Sequence, residues 1–170
     1  MRPAIGPFLS CLALSIGLII GGCGGDDEKD EKDQSQLPTP KAPGRYESPA
    51  YDFTIRARPP ARNATVSGKE VEGRGDYVVV VRLGVKNRRS RPLSLAQITA
   101  TLKARDGASY DPVLADGRAA TRPLFATDSL APDRVIGALV AYRVPPKDLE
   151  GSDLRVADRA SGQAFQQHLF

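Results

Sequence analysis

Cys23 carries the clearest chemistry in the chain. It follows an uncharged run, residues 4–20, and a pair of glycines, Gly21 and Gly22. The thiolate is the reactive form of cysteine. The chemistry expected at this position is transfer of a lipid to the sulfur. Met1-Arg2 gives a short positive start, and charged residues resume at Asp26. The uncharged run has the length of a secretory core and is slightly short for a membrane span. No Ala-x-Ala-like pattern offers an ordinary secretory cleavage site.

Ile20-Gly21-Gly22-Cys23 resembles the bacterial lipobox. The resemblance implies a lipoprotein signal peptide over residues 1–22, cleavage before Cys23, and a diacylglycerol on its thiol. At about 0.8 kcal/mol per buried methylene, one acyl chain holds marginally and two or more, palmitate among them, hold stably. The protein is then expected outside the cytoplasm, lipid-anchored in the cell membrane or the outer membrane. The alternatives are an uncleaved signal anchor and a chance cysteine in a plain signal peptide.

Few other residues have catalytic potential. The chain has one histidine, His168, on an apparent closing strand, and its other cysteine, Cys11, lies in the signal segment. A transition-metal site would need mostly carboxylates, and no cluster has ligand spacing. Asp106, Asp111 and Asp116 recur every five residues and offer oxygen ligands for a weak calcium site; the competing reading is ordinary Asp-Gly turns. Arg74-Gly75-Asp76 reads as a turn. Asn63-Ala64-Thr65 fits a glycosylation acceptor but is discounted beside a bacterial lipobox. The densest basic cluster is Arg88-Arg89-Ser90-Arg91, with Arg82 and Lys86 beside it. Arg88, Arg89 and Arg91 are the candidate patch for an anionic partner such as a teichoic-type polymer or lipid headgroups, against the alternative of a solvated loop. The aromatic interleaving of single-strand nucleic-acid readers is missing, so nucleic acid is not an expected partner.

The elements that position these residues follow from composition and alternation. The chain has 170 residues and a formal net charge of +4. Arg2 and residues 26–33 hold three basic and six acidic side chains, so residues 34–170 carry 21 basic and 14 acidic. Residues 23–49 read as the lipidated cysteine and a disordered tether, acidic and then proline-rich, with too few apolar residues to offset ordering entropy. As a coil its reach is about 28 Å. From residue 50 apolar residues alternate. Phe53, Ile55 and Ala57 share a face and Pro59-Pro60 ends the strand. A second short strand is expected around Val66. Residues 77–86 give the strongest strand, with Tyr77, Val79, Val81, Leu83 and Val85 on one face. Residues 95–105 and 134–144 repeat the device, and 154–156 and 164–169 look like closing strands. Residues 111–132 read mostly as loop. Sustained helical periodicity is absent. The expectation is an all-β sandwich of about seven antiparallel strands over residues 50–170. It lacks the cysteine pair and tryptophan of antibody domains.

Three segments carry a further resemblance. Residues 77–87, the pair Pro92-Leu93-Ser94-Leu95 and Leu102-Lys103-Ala104-Arg105-Asp106-Gly107, and residues 137–145 resemble, in order and spacing, a bacterial domain-of-unknown-function family. Leu130-Ala131-Pro132-Asp133 stands where that family has a Leu-x-Pro-Gly turn. The resemblance implies a telokin-like, immunoglobulin-like sandwich over about residues 50–170, lipid-anchored or secreted, without an assigned reaction. The function expected is a lipid-anchored extracytoplasmic binding or interaction module of the bacterial cell envelope, not an enzyme and without a cofactor. Its expected partners are the membrane, through the lipid, and an envelope protein or anionic polymer. The alternative is a solute- or ion-binding lipoprotein, with calcium as the ion.

Overall fold

A computed structural model describes residues 37–119 and 124–170. The signal segment, Cys23 and the acidic run 26–33 lie outside the described residues. Two antiparallel sheets pack face to face. One has six strands in the order β1 (Gly44–Glu47), β2 (Tyr51–Ala57), β5 (Tyr77–Asn87), β12 (Val135–Val144), β9 (Leu114–Ala115) and β10 (Arg118–Ala119). The other has four: β14 (Gln163–His168), β13 (Asp153–Asp158), β7 (Ile98–Lys103) and β8 (Ser109–Tyr110). Two small pairs complete it: the hairpin β3 (Asn63–Val66) with β4 (Lys69–Glu72), and β6 (Leu93–Ser94) with β11 (Ser129–Leu130). The all-β sandwich read from the alternation is the observed fold.

The core forms where period-2 alternation turns one row of each sheet inward. Tyr51, Phe53 and Ile55 of β2, Val79, Val81, Leu83 and Val85 of β5, and Val140 and Tyr142 of β12 meet Ile98, Leu102, Leu154 and Val156 of the other sheet. The hydroxyl of Tyr142 crosses between the sheets to donate to the Ala100 carbonyl at 3.2 Å. That bond satisfies a polar group that burial would otherwise penalise, and the same burial drives its pKa upward.

The six strands of six residues or more are the ones alternation picks out: β2, β5, β7, β12, β13 and β14. The stretch around Val66 is a hairpin, with Ser67 and Gly68 both at positive φ (48° and 79°) as a tight two-residue turn requires. The loop reading of residues 111–132 is corrected in detail, since β9, β10 and β11 are two-residue strands inside it.

The tether boundary is also corrected. Residues 44–47, read as tether, are an edge strand in full register with β2, pairing Gly44 with Ile55 through Glu47 with Asp52. The physical reason is aromatic packing and local hydrogen bonding. The Tyr46 ring lies 5.2 Å from that of Phe165, and its hydroxyl donates to the Gln166 carbonyl. Upstream, the Lys41 N–H donates to the Leu169 carbonyl at 2.7 Å and Leu37 packs against the core. The ordered body therefore extends at least to residue 37.

Candidate functional site

The outer face of the six-stranded sheet is unlike a plain solvated surface. Strand register lays its outward side chains in rows across β2, β5 and β12. Asp52, Lys86 and Val135 form one row, Thr54, Gly84 and Gly137 the next, and Arg56, Arg82 and Leu139 the third. Further along, Val80 lies opposite Ala141, and Val78 opposite Arg143. The β3–β4 hairpin covers this last part. Val66 and Val71 pack on Val78, Val80 and Ala141 as a second small core. So β5, apolar on both faces at its start, has both faces covered there. Where its outer row turns polar, at Arg82, the cover ends.

The uncovered half has three features. Arg56 and Arg82 face each other directly across β2 and β5 and both are exposed. Like charges in that position repel, and neither guanidinium has an ion-pair partner among the described residues. The next row has a glycine floor. A Cβ on Gly84 would lie 2.3 Å from Thr54 Oγ1, and Gly137 stands opposite. The result is a dent of about 390 Å³ whose lining includes Thr54, Arg82, Gly84, Gly137 and Leu139. Beside it Val135 is 69% exposed, the one large apolar side chain so exposed among the described residues. Asp116 closes one end of the dent, its Oδ1 accepting from the Leu139 N–H (3.4 Å) and from Ser67 Oγ (3.3 Å).

The arginine loop following β5 is built differently from its sequence reading. Asn87, fully buried, organises it. Its Nδ2 donates to the carbonyls of Arg91 and Leu130, both at 2.9 Å, and its Oδ1 accepts from the Arg89 N–H at 2.9 Å. Arg88 turns back onto the sheet, with Nη1 3.3 Å from Asp52 and 3.7 Å from Glu47. Arg45 shares the same two acids, 2.9 Å from Glu47 and 3.8 Å from Asp52. Arg89 is half-buried and Arg91 exposed. Of the three candidate arginines, one is thus committed to a buried carboxylate. Lys86 sits opposite Asp52, whose oxygens Arg88 and Arg45 already flank.

Two of the three aspartates offered for calcium, Asp106 and Asp116, make local contacts. Asp106 accepts from the Ala108 N–H at 2.9 Å and lies 3.8 Å from Lys147, while Asp116 holds the end of the dent. Among the described residues no three His, Cys, Asp or Glu side chains gather as a metal site. Arg74-Gly75-Asp76 is a turn, with Arg74 and Gly75 at positive φ. His168 is on β14, Nδ1 2.7 Å from Asp153, at the rim of a depression of about 560 Å³ that Lys41, Arg105 and Glu150 also line. Tyr110 donates to the buried Asp148 carboxylate. That bond pushes the Tyr110 pKa up to about 12, and it is the main reason the Asp148 pKa is lowered.

Sequence reasoning placed Arg82 and Lys86 beside the arginine loop but missed Arg56 and the glycine floor. The signal was present in β2 as alternation, since Thr54 and Arg56 flank the inward Ile55.

Comparison with known proteins supports the fold. The sequence profile of a domain of unknown function, DUF4352, matches residues 51–164. A conserved hypothetical protein from Bacillus anthracis is similar in structure, with a TM-score of 0.53 at 17% identity, covering 75% of this chain and 92% of that one. The yjhA protein from Bacillus subtilis gives a TM-score of 0.52 at 13% identity, covering 75% of this chain and 96% of that one. Among curated proteins none matches. These likenesses indicate no catalytic family.

Proposed function

The chain belongs to the DUF4352 family, a domain of unknown function, and we propose for it a non-catalytic role as a lipid-anchored binding module of the bacterial cell envelope. Its anchor is a lipid on Cys23, and its partner is an anionic, phosphodiester-bearing envelope polymer. The observation that carries the partner is the row Arg56–Arg82 beside the glycine-floored dent. Two guanidiniums are held side by side, without acid partners among the described residues, on the half of the sheet the hairpin leaves open. Arginine forks suit phosphate oxygens, and charge-assisted hydrogen bonds to them are the stronger kind. The dent gives the polymer backbone a place to approach the sheet. Lys86 adds a third charge, and Arg91 extends the same charge into the loop. No aromatic residue stands in these rows, so stacking of bases has no platform there.

Titration of the purified protein with a teichoic-type polymer tests the partner. The unaltered chain binds, and binding weakens as salt rises because counterions are released. Arg56→Ser with Arg82→Ser weakens it at least tenfold, a loss of about 1.4 kcal/mol or more. Absence of binding, or equal binding by the double variant, overturns the assignment. The anchor is tested separately by intact mass of the protein from its native membrane fraction. An N-terminus at Cys23 bearing acyl mass, lost in Cys23→Ala, is the expected result. Cleavage elsewhere without lipid would remove the anchor.

A further inference from the structure

We infer, independently of the arginine row, that β12 is an open edge strand over residues 135–139. It takes up an extended segment of a partner polypeptide that carries an aromatic side chain and, toward its C-terminal end, an acid. β12 pairs with β5 along its whole length but with β9 only at Val140 and Ala141. In an antiparallel ladder successive residues turn their main-chain groups to alternate sides. The Asn87 N–H donates to the Arg134 carbonyl, so the even-numbered residues of β12 face β5. The N–H groups of Asp116 and Val113 donate to the carbonyls of Leu139 and Ala141, so the odd-numbered ones face away. The N–H and C=O of Val135 and Gly137 therefore point out of the sheet, with no pairing strand among the described residues. Gly137 is exposed, as is Val135.

Other edges are guarded or covered, as edges that must not pair usually are. β1 carries the charged pair Arg45–Glu47. At β14 the Tyr46 hydroxyl and the Lys41 N–H take the carbonyls of Gln166 and Leu169. On β7 the Tyr142 hydroxyl takes the Ala100 carbonyl. Residues 135–139 have no such guard, neither a charge nor a proline. The opening is short. Asp116 fills the next position, its N–H on the Leu139 carbonyl and its Oδ1 on the Leu139 N–H. It leaves room for about four residues, about 14 Å, which favours a short extended segment over the full strand of a second copy. Running as β9 does, such a segment exchanges both main-chain hydrogen bonds with Val135 and with Gly137. Its residue opposite Gly137 points to the outer face, where Gly137 and Gly84 floor the dent of about 390 Å³. A ring fills that space, as aromatic side chains do beside edge glycines. Toward its C-terminal end a side chain stands opposite Arg134, which is exposed and forms no ion pair among the described residues. An acid is the complementary charge there.

The probe is the peptide acetyl-Thr-Tyr-Val-Thr-Glu-amide, titrated into the purified protein and followed by amide exchange. In the free protein the Val135 and Gly137 amides should exchange faster than those of Ile136 and Ala138, which face β5. Saturating peptide should slow exchange at Val135 and Gly137 by about tenfold or more. Replacing the peptide's tyrosine with alanine should weaken binding about threefold. The same replacement should cost nothing further in Gly137→Val, whose Cβ would meet only the Leu83 carbonyl, at 3.4 Å, and whose side chain occupies the dent. Gly137→Pro removes an outward N–H and no bond to β5, so it should abolish binding with the fold retained. Should that variant not fold, the exchange pattern and the peptide replacement decide. Protection of Val135 and Gly137 in the free protein at every concentration means a covered edge and overturns the inference. Protection that grows with protein concentration alone assigns the edge to a second copy and overturns it too. So does absence of binding at about millimolar peptide, or binding that leaves these two amides exchanging as before. If the peptide binds in this way and the teichoic-type polymer does not bind, the polymer assignment fails and strand addition stands.

Discussion

Asn87 decides the shape of the basic loop more than its arginines do. Three hydrogen bonds converge on one buried amide, and they fix the backbone at Arg89, Arg91 and Leu130. Arg88 is drawn onto Asp52 because a buried carboxylate needs a counter-charge. At the same scale, Tyr110 and Asp148 form a pH-sensitive pair. The Tyr110 pKa rises from its ordinary 10 to about 12, chiefly through its bond to Asp148. A pKa raised on folding contributes stability that is full below the unfolded value and lost as pH climbs through the folded one. Melting temperature should therefore fall between pH 10 and about 12, and Tyr110→Phe should lessen the fall. The Asp148 pKa moves the other way, so its contribution is present above the ordinary carboxylate range and lost below it. A thermal scan from pH 8 to 12 checks the alkaline limb. Identical curves for the two proteins would show that the bond contributes nothing to stability.

Among the elements, β5 and the β3–β4 hairpin decide where the open face begins. Val78 and Val80 point away from the main core yet are almost fully buried, because Val66 and Val71 cap them. A buried apolar side chain of this size is worth about 1.5–3 kcal/mol relative to exposure. Val66→Ala should cost about 2 kcal/mol in denaturant unfolding. It should also speed amide exchange in the first half of β5 more than around Arg82. Uniform exchange along β5 would mean that the hairpin is not the cover. The sequence pattern of β5 contained this information as a change from valine to arginine along one face. What it lacked was the covering element, because a lone Val66 between polar residues gives no sign of the surface it meets.

For the whole molecule, the ordered body begins earlier than composition suggests. The segment with Pro38, Pro40 and Pro43 has few apolar residues, and β1 is only four residues long. Its order comes from contacts at the far end of the chain, with Phe165, Gln166 and Leu169. A chain starting at residue 37 should melt roughly 10 °C above one starting at residue 50, a difference of about 3 kcal/mol. Equal melting temperatures would return β1 to the tether.

By itself the sequence determined the fold class, through period-2 alternation in the long strands, and it singled out Cys23 by its setting among small residues. Tertiary structure decided where the charges gather. Arg56 and Arg82 are far apart in the chain and become neighbours only through the register of β2 on β5. The dent exists only because Gly84 meets Gly137 in the register of β5 on β12. Alternation fixes which way a side chain points. Strand pairing fixes which side chains stand beside it, and that pairing depends on contacts no local pattern contains.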